Sequence, residues 1–201
     1  MATFCTDAGH GGRDPGASWN GVLEKDLTLE YTLDINDLLL RRGHTLLTTR
    51  NSDSNVPSLS TRCKLINTHH QQGSPRFDAI ISIHCNVAAY KSTSGQYVAN
   101  QSARGFFGVY SRSSIRGRDL AQSIANSVSN AGVVLKNGGK MSTVELGRSL
   151  AWIHQTLPTA VLLELGFLTH PEELALLRDP AYRKKLTRAI VDGIEGFIGV
   201  T

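Results

Sequence analysis

Residues 78–86, DAIISIHCN, carry the clearest strand signal in the chain, an apolar β-branched run that closes on His84. Outward from it, short apolar runs alternate with longer amphipathic ones. ATFCT (2–6), HTLLTTR (44–50), GFFGVYS (105–111) and AVLLELG (160–166) read as further strands. KDLTLEYTLDINDLLLRRG (25–43) places Leu27, Tyr31, Ile35, Leu38 and Leu39 on one helical face, with Gly43 as the C-terminal cap. A short helix over 58–68, a helix over 117–130 with Leu120, Ile124 and Val128 inward, and a helical end from Pro171 to Gly199 complete the series. Such alternation predicts a single α/β domain over 1–201, with a mostly parallel twisted sheet of about six strands and helices on both faces. Residues 86–104 and 131–149 are polar and glycine-containing and are expected to be loops.

Composition agrees with one globular domain. The chain has 201 residues, 40% hydrophobic and 19% charged, which separates it from disordered sequences. Its net charge of +4 is spread along the chain, so no nucleic-acid partner is expected, although an anionic polymer is compatible. No apolar run approaches the roughly 20 residues that cross a bilayer, and no membrane association is expected. The start has no basic segment followed by an apolar stretch, which predicts cytoplasmic synthesis without a signal peptide. Cys5, Cys63 and Cys85 are an odd count without C-x-x-C spacing and read as reduced, buried thiols.

Parallel α/β sheets bind ligands at the carboxyl ends of their strands. Four groups suited to a metal or to proton transfer fall at that edge. His10 lies in the turn after the first strand, His84 and Glu164 close two others, and Glu24 stands at the start of the first helix. Catalytic zinc commonly takes three protein ligands from histidine and carboxylate, leaving the fourth position to water. His10, Glu24 and His84 supply such a set from three separate segments. Glu164 is then left to act as the base of a metal-assisted amide hydrolysis.

Each group also has an ordinary reading. A histidine in a turn is more often structural, and an acid at a helix start satisfies the helix dipole. Glu164 resists this reading, because an unpaired carboxylate closing a buried strand is costly. His44 at a strand start, His69 and His70 in a polar turn, and His154 near an apolar run are expected to be ordinary. THPEE (169–173) has H-x-x-E spacing but reads as a helix start with proline and acids in its first turn. GHGGRD (9–14) begins like a dinucleotide loop, yet Asp14 replaces the third glycine and Pro15 follows, which disfavours nucleotide binding.

DAGHGGRDPGA, EKDLTLEYTLDINDLLLRRGHTLLTTR, SLSTRCKLIN, DAIISIHCN, ARGFFGVYS and AVLLELGFLTHPEELALLRDPAYRKKLTRAIVDGI resemble, in order, the catalytic domain of the zinc-dependent N-acetylmuramoyl-L-alanine amidases of the type-3 family, found in bacterial autolysins and phage endolysins. The resemblance implies hydrolysis of the amide between N-acetylmuramic acid and L-alanine in peptidoglycan, with His10, Glu24 and His84 as Zn2+ ligands and Glu164 as the catalytic carboxylate. Ala8, Cys85, His170 and the placement of Pro158 depart from the family pattern without removing a catalytic group. Asp7 and Arg13 are expected to support the turn, and Asn86 to shape the site. The expectation is a monomeric, endolysin-like enzyme that reaches the wall after membrane breach or release. Two alternatives remain open: a peptidoglycan-binding module without turnover, and another zinc hydrolase of wall peptides or acetyl groups.

Overall fold

The computed structural model of the chain describes residues 1–72 and 75–199. In chain order its elements are β1 (Thr3–Ala8), β2 (Ser18–Trp19), β3 (Val22–Leu23), α1 (Glu24–Arg41), β4 (Thr45–Thr48), α2 (Leu59–Gln72), β5 (Ala79–Asn86), β6 (Ala89–Lys91), β7 (Tyr97–Ala99), β8 (Phe106–Tyr110), α3 (Ile115–Asn130), β9 (Leu135–Ser142), α4 (Thr143–Leu146), α5 (Ala151–His154), β10 (Ala160–Phe167), α6 (Pro171–Arg178) and α7 (Pro180–Ile198). Six strands form one sheet in the order β4-β1-β5-β10-β8-β9. The first four are parallel; β8 runs antiparallel to β10 and parallel to β9.

Side chains alternate between two cores along the buried strands. Phe4, Ile81, Ile83, Val161 and Leu163 face α1, α3, α6 and α7, while Cys5, Ile80 and Leu162 face Ile66 of α2 and Trp152 of α5. Helix α1 buries Leu27, Tyr31, Ile35 and Leu39, a spacing of four that keeps them on one side of an 18-residue helix. Full burial of each of the aliphatic side chains Leu27, Ile35 and Leu39 contributes about 1.5–3 kcal/mol. Helices α3 and α7 cross closely, because Gly193 brings its backbone so near Ile124 that a Cβ would stand 2.5 Å from the Ile124 Cα.

Three expectations are corrected. Residues 131–149 are not a loop: they hold β9, the outer strand of the sheet, and α4. Lys136, Asn137, Gly138, Gly139 and Lys140 give β9 no hydrophobic period, and its left-handed Asn137, Gly138 and Gly139 bend it where the pairing with β8 shifts register. Within 86–104, β6 and β7 pair as an antiparallel hairpin with largely exposed side chains. His69 and His70 lie in the last turn of α2 rather than in a turn between elements. The helical end divides at Asp179, whose side chain caps α7 through the Ala181 N–H while Pro180 starts that helix. His170 caps α6 in the same way through the Glu173 N–H, as the THPEE reading requires. His44 is buried, bonded to the Ala2 amide and to Glu195 of α7, and so ties the chain start to its last helix.

Candidate metal centre and its cleft

The four rim residues arrive from four segments. β1 ends at Ala8, and the Gly9 N–H still reaches the Ile83 carbonyl of β5 at 3.0 Å, so the turn leaves the sheet one residue before His10. His10 has φ of 65°, the left-handed region that histidine rarely occupies. Glu24 is the first residue of α1, and β5 and β10 pair His84 directly with Glu164.

The structure brings His10, Glu24 and His84 together. One ligand atom from each lies within 4.8 Å of the others. His10 Nε2 is 3.1 Å from Glu24 Oε2, and His84 Nδ1 is 3.0 Å from Glu24 Oε1. Two glycines leave room for this. A Cβ on Gly9 would sit 2.4 Å from the His84 ring, and one on Gly16, at φ of 65°, would sit 2.6 Å from both Glu24 Oε2 and the His10 ring. Glu24 is also fixed by backbone, accepting from Ala17 N–H at 2.8 Å and Cys85 N–H at 3.0 Å.

Charge reinforces the cluster. Burial disfavours ionised Glu24, but the His10 and His84 bonds outweigh it and hold the carboxyl well below its usual range. Burial likewise opposes a charged His10, yet Glu24 and Asp14 push it up to about 9. Asp14 is the residue the sequence reading left without a role. Its Oδ2 lies 2.8 Å from His10 Nδ1 and its Oδ1 accepts the Gly16 N–H at 3.0 Å, which orients the ring with Nε2 toward Glu24. No sequence spacing announced this contact, because it depends on the left-handed turn between the two residues. Two imidazoles and a carboxylate crowded to hydrogen-bonding distance, one ring backed by a second carboxylate, suit a divalent cation such as zinc with an open coordination position.

Glu164 stands apart from that set. Its Oε2 is buried with no hydrogen-bond partner among the described residues. Burial pushes the carboxyl up to about 7, with His84 opposing and Glu24 adding. A buried carboxylate left without a partner is a poor structural element and a suitable proton acceptor near neutral pH.

This arrangement has a thermodynamic signature. The unfolded carboxyl ionises near 4.5 and the folded one near 7, so between those values the native state binds more protons and loses stability as pH rises. Metal-free Glu164→Gln is therefore expected to be more stable than the metal-free parent at pH 8, by on the order of 3 kcal/mol. Urea titrations across pH check this: the gap should close below about pH 4.5, and a gap independent of pH would contradict the burial of this carboxylate.

A cleft of about 560 Å³ opens beside His10 and His84, walled by Val56, Pro57, Leu59, Leu150, Trp152 and Leu162. Exposed Arg13 lines it and, among the described residues, makes no hydrogen bond or ion pair that would brace the turn, contrary to expectation. Asp7 does brace it from below, buried and accepting from Thr49, from Ser82 at 2.7 Å and from Arg62 at 2.9 Å. Asn86 bonds its own loop, accepting the Val87 N–H at 2.8 Å. The three cysteines are free and buried.

Known proteins are similar to this chain in sequence and fold. The family model described as N-acetylmuramoyl-L-alanine amidase matches residues 5–196. The probable cell wall amidase LytH of Staphylococcus aureus is 30% identical over 200 residues, covering 96% of this chain; the chain spans 57% of the length of that relative. The CwlD amidase from Clostridioides difficile, solved in complex with the GerS lipoprotein, superposes with a TM-score of 0.83 at 25% identity over 100% of both chains. An N-acetylmuramoyl-L-alanine amidase from Clostridium difficile 630 gives 0.81 at 26% identity over 98% of this chain and 97% of its own. With the family model spanning nearly all of it, the chain belongs to the N-acetylmuramoyl-L-alanine amidase family.

Proposed function

We propose that the chain hydrolyses the amide joining the lactyl group of N-acetylmuramic acid to the L-alanine of the peptidoglycan stem, as a zinc enzyme. The observation that carries this reading is the partnerless Glu164 carboxylate paired across the sheet with His84 of the three-ligand cluster. His10, Glu24 and His84 would hold the ion, which when bound supplies positive charge that polarises the scissile carbonyl and acidifies water at the open position. Glu164 takes the proton of the attacking water and delivers it to the departing alanine nitrogen. Asp14 keeps the His10 ring in place, and the apolar wall of the cleft beside His10 and His84 offers a surface for the substrate.

Among the described residues no helix is long and apolar enough to cross a membrane. The reading includes action as a monomer that reaches the wall after membrane breach or release, in the manner of an endolysin. Mass analysis of products from purified peptidoglycan, with zinc measured on the same protein, tests it. Stem peptides with a free L-alanine amino terminus, lost on chelation and restored by zinc, support the amidase. Cut cross-links or released acetate identify a different wall hydrolase, and binding without products identifies a non-catalytic module. Lysis of cells that contain the enzyme only once their membrane is permeabilised supports the endolysin-like role, and lysis without permeabilisation counts against it.

A further inference from the structure

Two arginines lie under the turn that carries His10, and neither faces solvent: the side chains of Arg50 and Arg62 are 1% and 6% exposed. Cations are seldom buried without several strong partners. Each arginine has one carboxylate, Asp53 at 3.3 Å for Arg50 and Asp7 for Arg62, and Arg50 also donates to the Thr28 hydroxyl at 3.0 Å, but most of the partners are backbone carbonyls, three of them consecutive. Arg50 donates through Nε to Ala8 O at 3.0 Å and through Nη2 to Gly9 O at 3.0 Å. Arg62 donates through Nη1 to Ala8 O at 2.8 Å and through Nη2 to His10 O at 2.5 Å. Its Nε holds Pro57 O in the cleft wall at 3.0 Å, and Nη1 also meets Asp7 at 2.9 Å. Arg50 continues to Lys25 O at 2.8 Å in the first turn of α1, the helix that begins with Glu24.

We propose that Arg62, with Arg50 beside it, is the positioning residue of the metal centre: the two guanidinium groups grip the carbonyls of Ala8, Gly9 and His10 and set the left-handed backbone from which His10 reaches Glu24. The inference rests on the metal reading above. Several features support it. The turn leaves the sheet at Gly9, and among the described residues its backbone bonds, Gly11 with Asp14, Ala17 with Glu24 and Pro15 with Lys25, leave the carbonyls of Ala8, Gly9 and His10 to side-chain donors, namely Arg50, Arg62 and, at Gly9, Thr28. A planar fork reaches two carbonyls at fixed angles, which a lysine ammonium does not. Two like charges placed close together in a buried site serve no purpose in packing that apolar side chains would not serve at lower cost. Because Arg62 also holds Pro57, the same residue fixes the spacing between the ligand turn and the wall of the cleft.

The test compares Arg62→Lys with Ile66→Ala, a core truncation on the same helix that lowers stability without touching the turn. Zinc dissociation constants come from competition with a chromophoric chelator, and exchange of the Gly11 amide is followed by NMR on metal-free protein. Arg62→Lys is expected to weaken zinc binding by about 10–100-fold, the range for lost outer-shell partners, and to speed Gly11 exchange more than tenfold. Ile66→Ala is expected to lower Tm with zinc affinity unchanged. Arg50→Lys provides a second probe of the same grip if the first variant does not fold. Zinc affinity unchanged in folded Arg62→Lys, or an equal loss in Ile66→Ala, overturns the proposal. If the parent itself binds no zinc, the metal reading fails separately, and unchanged Gly11 exchange in the metal-free variant then overturns the positioning role by itself.

Discussion

Glu164→Gln is expected to lower turnover of purified peptidoglycan by about 10²–10⁴-fold, the range for loss of a positioned general acid-base group. Zinc should remain at one equivalent, because glutamine removes the proton acceptor and no ligand. The substitution is nearly isosteric, and β10 keeps its pairing with β5 and β8 through backbone bonds the side chain does not make. Loss should therefore appear in kcat, with KM little changed, since the binding walls are untouched. Metal loss in this variant would mean that Glu164 is a ligand. Retained turnover would mean that another group moves the proton.

His84→Ala should fail in the opposite manner. Removing the imidazole takes away one of the three proposed ligand atoms and also a partner of Glu24, whose carboxylate then keeps, among the described residues, His10 and two backbone donors. Zinc affinity is expected to fall by more than the roughly 100-fold that losing an outer-shell partner costs. Activity should fall with occupancy and recover in part at high zinc. Metal analysis after dialysis, run beside Glu164→Gln, separates the two roles, and full zinc occupancy in His84→Ala would remove His84 from the ligand set.

Much of this arrangement is legible in the sequence because the candidate site side chains sit where strands end. DAIISIHCN and AVLLELG announce buried strands by composition, and their last polar residues then fall on one rim by connectivity alone. β9 was hidden for the converse reason. It is an outer strand paired along one side, and LKNGGKMS carries neither alternation nor a β-branched run. Asp14 was visible as a break in a glycine pattern, not as a partner of His10, since that contact depends on the left-handed turn between them. Arg50 and Arg62 were the least legible. An arginine in a sequence reads as solvated, and only packing shows that these two are spent on backbone carbonyls.

The register of β5 between β1 and β10 has a consequence for folding quality. His84 belongs to the middle strand of five aligned pairs with β1, and Glu164 is its neighbour on β10. A slip of one residue on either side sends a strand's side chains to the opposite face. Such a molecule would hold the His84 imidazole or the Glu164 carboxylate in the wrong core. Misregistered chains would then be silent rather than sluggish, and the fraction of active molecules in a refolded sample would count those whose central strands aligned correctly.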